Sequence, residues 1–262
     1  LDLEGDPYAF DLGIEYLFGV VDADGAYTGR WSLDRATERA TFEWFMDLVT
    51  ERLKRFPDLH VYHYAAYEPT ALKRLAGRYD SRIDELDRLL RGKVLVDLYR
   101  VVRQGLRASV ESYSIKKMEP FYRFERQVEL PEATSALANF EAWLELGATG
   151  DDSRVLLDAI EGYNKDDCRS TLELRNWLET LRTKETEKGI DIPRPPLDPD
   201  EPSEEVSARQ QRVNDLRARL LPFVHGQRDV RGDRGVPGRV VHVERRVQRE
   251  RGGGQRRDAR RP

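Results

Sequence analysis

The order of strand-like and helix-like segments is the feature that most constrains the fold. Residues 13–21 and 26–31 are β-branched or aromatic runs on either side of the turn sequence DADG, and residues 1–4 alternate apolar and acidic side chains. Further strands, predicted at residues 59–65 and 93–100, alternate with helices. The predicted helices span residues 32–56, 68–79, 112–122, 135–147 and 152–182, with Gly147 as the stop of the fourth. This order predicts an α/β fold with a mixed β-sheet flanked by α-helices.

The opening strand carries two carboxylates. Asp2 and Glu4 alternate with Leu1 and Leu3, so both acids point to one face of the strand, about 6–7 Å apart. Like charges this close repel each other in a low-dielectric setting unless a cation lies between them. The alternative is an exposed edge strand with a solvated acidic face.

The last predicted helix places an acid where a core residue is expected. Its apolar stripe, read at steps of three and four, has aliphatic residues at both ends and Asp167 in the middle, one turn after Tyr163. A carboxylate on a buried stripe is costly unless it is paired or binds a metal ion, so the alternative is an ion pair between Asp167 and an Arg or Lys. Asp166 lies off the stripe and is expected to be solvated. The members of the stripe are Leu156, Ile160, Tyr163, Asp167, Thr171, Leu174 and Leu178.

A fourth acid, Glu68, follows the predicted strand at 59–65 and precedes a helix with Pro69 in its first turn. Open α/β sheets bind ligands beyond the carboxyl ends of their strands. The alternative is an acid at a helix N-terminus, which the helix dipole favours without any ligand.

The order of Asp2, Glu4, Glu68 and Asp167, in the segments DLE, YAAYE and YNKDD, resembles the 3′–5′ exonucleases with four acidic residues and a ribonuclease H-like fold. The segments DLEGDP, YHYAAYEPTALKRL, VDLYRVV, YSIKKMEPFY and YNKDDCRSTLELRNWL are similar to the YprB-type domain of the RecB-like predicted nucleases. The resemblance covers roughly residues 1–181. The sequence departs from it at Glu68, where the family usually has Asp.

This resemblance implies phosphodiester hydrolysis of DNA or RNA with two Mg²⁺ or Mn²⁺ ions. It assigns Asp2 to both ions, Glu4 and Asp167 to the ion that activates water, and Glu68 to the other ion. Tyr163 would orient the attacking water, as in the tyrosine subclass. It also implies a helicase module on the intact polypeptide.

Four other residues near these motifs have less specific predictions. Asp97, at a strand end, is expected to support the site from behind the ligands or to cap a helix, and His63 is expected to pack or line the substrate cleft rather than bind metal. Lys116 and Lys117 are expected on an exposed helix face, with phosphate contact as the alternative.

Composition narrows the class of protein. No run approaches the 18 apolar residues of a transmembrane helix, no secretory signal is visible, and the one cysteine, Cys168, cannot form an internal disulfide. We therefore expect a cytoplasmic protein without a membrane partner. The start at Leu1, inside a predicted strand, indicates a fragment of a longer chain.

The chain divides into four predicted regions. A ribonuclease H-like exonuclease domain at 1–183 precedes a Pro- and acid-rich linker at 184–205, a helix at 206–225 and a disordered Arg/Gly-rich tail at 226–262. The tail has twelve Arg against five acidic residues, so the remainder of the chain is acidic. The tail is either a basic nucleic-acid arm or a GC-rich segment read out of frame.

Three functions are compatible with these sequence features. The first is a metal-dependent 3′–5′ exonuclease. The second is a catalytically weak module that binds nucleic acid or docks a helicase, and the third is an endonuclease acting on RNA–DNA hybrids.

Overall fold

The computed structural model describes residues 1–146, 153–194, 211–213, 215, 216 and 219. Its strands are β1 (Asp2–Asp6), β2 (Ile14–Val21), β3 (Tyr27–Trp31), β4 (Val61–His63) and β5 (Leu95–Asp97). Its helices are α1 (Arg35–Arg55), α2 (Tyr67–Tyr79), α3 (Ile83–Arg91), α4 (Leu98–Gly105), α5 (Ile115–Tyr122), α6 (Leu130–Leu146) and α7 (Ser153–Glu187). The predicted α/β class is confirmed.

These elements lie in the first of two compact units, Leu1–Glu201. In the second unit, Pro202–Pro262, the described residues are helical and fall inside the predicted helix at 206–225. The predicted tail at 226–262 and the predicted stop at Gly147 lie outside the described residues. Because α7 continues to Glu187, the first four residues of the predicted linker are helical.

The strands form two ladders. β1, β2 and β3 pair antiparallel in that order, and β4 pairs parallel with β5. The amino group of Leu1 donates to the carbonyl oxygen of Tyr62 at 3.0 Å, which connects the start of β1 to β4. This contact brings the acids of β1 beside the strand that leads to Glu68.

Helices cover the antiparallel ladder on both faces. α1, α2 and α3 pack against one face through a cluster that includes Leu3, Phe18 and Phe45, while α6 and α7 pack against the other through Tyr16 and Phe140. Both layers receive apolar side chains because strand side chains alternate between the two faces of the sheet. The central strand β2 is therefore buried over most of its length, and a buried polar group on it requires a partner.

A β-bulge in β2 changes this alternation once. Glu4 lies opposite Leu17 but Gly5 lies opposite Glu15, so Tyr16 is an extra residue in the ladder. Tyr16 and Leu17 consequently both enter the α6/α7 cluster. Glu15 turns to the other face, where it contacts Arg74 and accepts a 2.9 Å hydrogen bond from the Tyr67 hydroxyl. The bulge thus keeps Glu15 away from the face that carries Asp2 and Glu4.

The helix predictions at 32–56, 68–79, 112–122 and 152–182 are confirmed within a few residues. The first of these helices is capped by Asp34, whose carboxylate accepts a hydrogen bond from the backbone N–H of Thr37 at 2.7 Å. The strand predicted at 93–100 ends at Asp97, because the Asp97 carboxylate caps α4 there. α3 and α4 were not predicted.

Candidate active site

Three of the four predicted acids converge. Asp2 and Glu4 point from one face of β1 and Asp167 projects from α7, and each offers an oxygen such that these oxygens all lie within 4.8 Å of one another. All three side chains are half-buried. We call Asp2, Glu4 and Asp167 the acid cluster.

Asn164 fixes the crossing of α7 over the sheet at this point. Its side-chain N–H donates to Asp2 Oδ2 at 2.8 Å, and its carbonyl oxygen accepts from the Tyr27 hydroxyl at 2.8 Å. One fully buried amide therefore connects β1, β3 and α7. Sequence reasoning missed Asn164, although a buried Asn one residue from Tyr163 on a core-facing helix is a signal for such a polar tie.

Gly19 makes room for this amide. It lies opposite Asp2 on β2, and a Cβ atom there would lie 1.7 Å from Asn164 Oδ1 and 3.0 Å from Cys168 Sγ. Any larger residue at position 19 must displace Asn164 and break its hydrogen bonds to Asp2 and Tyr27.

Gly19→Ala is therefore expected to lower the free energy of unfolding by about 2–3 kcal/mol, from overpacking and from leaving buried polar groups unpaired. Urea denaturation followed by circular dichroism measures the change. The matched control is Gly77→Ala in α2, where an added Cβ meets nothing within 4 Å; there a small gain is expected from helix propensity. Equal stability of the two variants would contradict the close approach at Gly19.

The acid cluster is electrostatically strained. Burial, followed by the charges of Glu4 and Asp167, raises the pKa of Asp2 well above its usual range. Burial and then the charge of Asp167 raise the pKa of Glu4 to about 8. The fold thus disfavours the ionised forms of Asp2 and Glu4, and a bound cation would offset the same repulsion.

Asp167 also has a cationic partner. Arg126 donates to Asp167 Oδ1 at 2.5 Å and to Glu119 Oε1 at 2.5 Å. The ion pair predicted as the alternative role of Asp167 is thus present. The Asp167 carboxylate nevertheless also lies beside the carboxylates of Asp2 and Glu4. The positive charge of Arg126 offsets the negative charge of Asp167, whereas Asp2 and Glu4 do not pair with Arg126 and repel each other.

Asp166 does not match its prediction. It was expected to be solvated, but it is 1% exposed and accepts from the backbone N–H groups of Gln127 and Val128 at 2.8 and 3.0 Å. The prediction was wrong because the segment after α5 folds over this side of α7. Asp166 therefore holds the segment that positions Arg126.

Tyr163 lies one turn before Asp167 and is half-buried. Its hydroxyl accepts a hydrogen bond from Lys116 Nζ, and the Arg126 guanidinium lies 5.6 Å from its ring centroid. Burial and the charge of Asp167 raise its pKa, so the phenol is neutral.

Glu68 is near the acid cluster without joining it. It lies in the first turn of α2, as predicted, and is 3% exposed. Its charge contributes to the raised pKa of Asp2. Glu68 Oε2 and His63 Nδ1 lie 3.4 Å apart, yet neither atom has a hydrogen-bond partner within the described part of the chain. An unsatisfied, buried carboxylate oxygen beside three other acids is consistent with a ligand position.

Asp97 has a structural role in this conformation. Its carboxylate accepts from the backbone N–H groups of Tyr99 and Ala65, each at 2.9 Å. It thereby caps α4 and holds Ala65, whose φ of 70° is unusual for a residue with a side chain. Ala65 lies three residues before Glu68, so Asp97 supports the segment that places this acid.

The family model RNase_H_2, of the RNase H superfamily, matches residues 1–179. The chain belongs to the RNase H superfamily. The matched range contains all four acids, Tyr163 and Asn164. No curated protein and no solved structure matches the chain significantly.

Membership of the RNase H superfamily indicates a hydrolase that cleaves nucleic acid, and nucleases of the superfamily use divalent metal ions. The acid cluster of this RNase H-like domain is a suitable set of hard oxygen donors for such an ion. Within the described residues, no helix is long and apolar enough to cross a membrane.

Proposed function

We propose that the domain is a metal-dependent 3′–5′ exonuclease that hydrolyses phosphodiester bonds of DNA or RNA with two Mg²⁺ or Mn²⁺ ions. The observation that carries this proposal is the convergence of Asp2, Glu4 and Asp167 from β1 and α7, although Asp167 follows Glu4 by 163 residues in the chain. Nothing in the packing of the sheet requires three carboxylates there, and their repulsion opposes folding.

The side chains fit divalent ions of this kind. Asp2, Glu4 and Asp167 supply the carboxylate oxygens that Mg²⁺ and Mn²⁺ prefer. Glu68 supplies a buried oxygen without a hydrogen-bond partner in the described structure. In this proposal the four acids hold the metal ions, which supply charge stabilisation at the phosphate and an activated water.

Other side chains around the four acids hold them in place or orient groups at the site. Asn164 holds the Asp2 carboxylate in place through its hydrogen bond to Oδ2. In this proposal the neutral Tyr163 hydroxyl orients the attacking water by a hydrogen bond. His63 lies behind Glu68 and Asp97 holds the segment before it, so both act as supports rather than ligands.

We also propose a more specific family for this RNase H-like domain. The segments DLEGDP, YHYAAYEPTALKRL and YNKDDCRSTLELRNWL support a YprB-type domain of the RecB-like kind. We also propose a helicase module on the same intact polypeptide, which that resemblance implies, and a location in the cytoplasm, which the single cysteine favours.

Incubation of a 5′-labelled single-stranded oligonucleotide with the protein and Mn²⁺ is expected to give a ladder of products that shorten by one nucleotide at a time. Denaturing gel electrophoresis of DNA and RNA versions measures the reaction and identifies the preferred substrate. EDTA is expected to abolish it, because without metal ions the acids repel the phosphate and nothing stabilises the charge that develops on it.

A circular single strand of the same sequence is the control for an end requirement. An exonuclease leaves the circle intact, whereas cleavage of the circle would identify an endonuclease. Immediate release of the labelled 5′ nucleotide would show the opposite polarity and refute this part of the proposal.

The second candidate is a catalytically weak module that binds nucleic acid or docks a helicase. The ion pair between Arg126 and Asp167 favours it, because a guanidinium on Asp167 competes with a metal ion. Titration calorimetry with Mn²⁺ separates the two candidates. A folded protein that takes up no Mn²⁺ would support the module and exclude the exonuclease.

A further inference from the structure

Lys116 brings a positive charge to the edge of the acid cluster. Its ammonium group donates to the Tyr163 hydroxyl and lies 4.8 Å from the centroid of the Tyr163 ring. It is also among the groups whose charge lowers the pKa of Glu4. The prediction of an exposed helix face was therefore wrong for Lys116, which is half-buried.

The helix that carries Lys116 is firmly anchored. Ile115 and Met118 of α5 are buried in a cluster with Leu174 of α7. One turn after Lys116, Glu119 accepts a 2.9 Å hydrogen bond from the Ser170 hydroxyl of α7 and pairs with Arg126. α5 is thus attached to α7 by residues on both sides of Lys116, and the Lys116 backbone has little freedom to move.

Lys116 forms no direct ion pair within the described residues, although its charged neighbours do. Within the described residues its one hydrogen bond is to a neutral phenol, whereas Arg126 contacts two carboxylates and Lys117 lies 3.2 Å from Glu111. An ammonium group has three donors, so two of the Lys116 donors are available to an anion at the site.

We propose that Lys116 binds a non-bridging phosphate oxygen of a single-stranded nucleic acid at the acid cluster, with Tyr163 holding the ammonium group in place. This inference rests on the proposed function, because it places the substrate backbone at that site. Lys116 is then a substrate-positioning residue that offsets the repulsion between the acids and the incoming phosphates.

The test is the binding of a fluorescent 12-nucleotide single strand, as DNA and as RNA, measured by anisotropy over a range of salt concentrations. Ca²⁺ replaces Mg²⁺, since it supplies charge without the octahedral geometry that Mg²⁺ demands. Lys116→Met is expected to raise Kd about tenfold, the loss of one charge-assisted contact. It is also expected to reduce the slope of log K against log salt by about 0.7, as for one lost phosphate contact on a single strand.

Two further variants complete the test. Lys117→Met, at the adjacent exposed lysine, is expected to bind like the wild type, and Lys116→Arg is expected to restore most of the affinity and the salt slope. In hydrolysis assays Lys116→Met should raise KM more than it lowers kcat. If Lys116→Met and Lys117→Met bind alike, or if the wild type binds no oligonucleotide, the inference fails.

The outcomes for the two proposals are distinguishable. A protein that hydrolyses single strands but shows no difference between the two lysine variants retains the exonuclease and loses the role of Lys116. A protein that binds single strands through Lys116 but never cleaves them retains the phosphate contact and loses the exonuclease.

Discussion

Replacement of Asp2 or Asp167 by Asn is expected to lower the rate of nucleic-acid hydrolysis at least about a thousandfold. Each substitution removes one carboxylate from the acid cluster and keeps the shape of the side chain. Charge stabilisation by a bound metal ion is worth several kcal/mol in the transition state, and about 4 kcal/mol corresponds to a factor of a thousand. Single-turnover hydrolysis of an end-labelled oligonucleotide in Mn²⁺ measures the effect.

These variants should fold at least as well as the wild type. The raised pKa of Asp2 means that the folded state favours a neutral side chain there, and Arg126 retains Glu119 as a partner when Asp167 is replaced. Lost activity together with an unchanged or higher melting temperature is the pattern expected of a site that sacrifices stability for function.

The matched control is Asp158→Asn, which removes an exposed carboxylate from the same helix as Asp167. Its activity is expected to equal that of the wild type. Full activity in both Asp2→Asn and Asp167→Asn would remove the acid cluster from the mechanism. A loss in the Asp158 variant would show that the assay responds to helix charge rather than to the site.

The convergence of the acids was predictable because it depends on local periodicity. Alternation in β1 fixes Asp2 and Glu4 on one face, and helical spacing in α7 places Asp167 on the core-facing stripe. Two strong periodic elements that pack together bring these side chains into contact whatever the loops do.

The predictions failed for residues whose surroundings are set by contacts between distant parts of the chain. Burial of Asp166 depends on the chain folding back at Gln127, and the tie made by Asn164 depends on Gly19, which is 145 positions away in sequence. No pattern within a short window reports such a contact. α3 is a different case, because its apolar spacing at Ile83, Leu86 and Leu89 was visible in the sequence.

In EDTA, the stability of the protein is expected to fall as pH rises from about 4.5 to about 8, through the titration of Glu4. The pKa of Glu4 is raised from 4.5 to about 8 in the folded protein. Between these values the unfolded chain has lost the proton that the folded protein keeps, so deprotonation favours unfolding. The contribution of the protonated Glu4 side chain to the free energy of unfolding is fully present below pH 4.5 and is lost as pH passes through 8.

Mn²⁺ is expected to reverse this trend, because it binds the deprotonated acids and replaces the proton. At a hundredfold excess over Kd, binding to the folded state alone adds about 2.7 kcal/mol, or about 5–10 °C in melting temperature for a domain of this size. The increase should be larger at pH 8 than at pH 6. Scanning calorimetry at both values, with EDTA or Mn²⁺, measures it.

Glu4→Gln is the decisive control, because it keeps the shape of the side chain and removes the titrating group. Its melting temperature in EDTA should depend less on pH than that of the wild type, and Mn²⁺ should raise it little at either pH. Identical pH dependence in the two proteins would mean that Glu4 is already ionised in the folded state. In the proposed site Mn²⁺ replaces the proton on Glu4, so the increase in melting temperature with Mn²⁺ must depend on pH. An equal increase at pH 6 and pH 8 would place metal binding elsewhere.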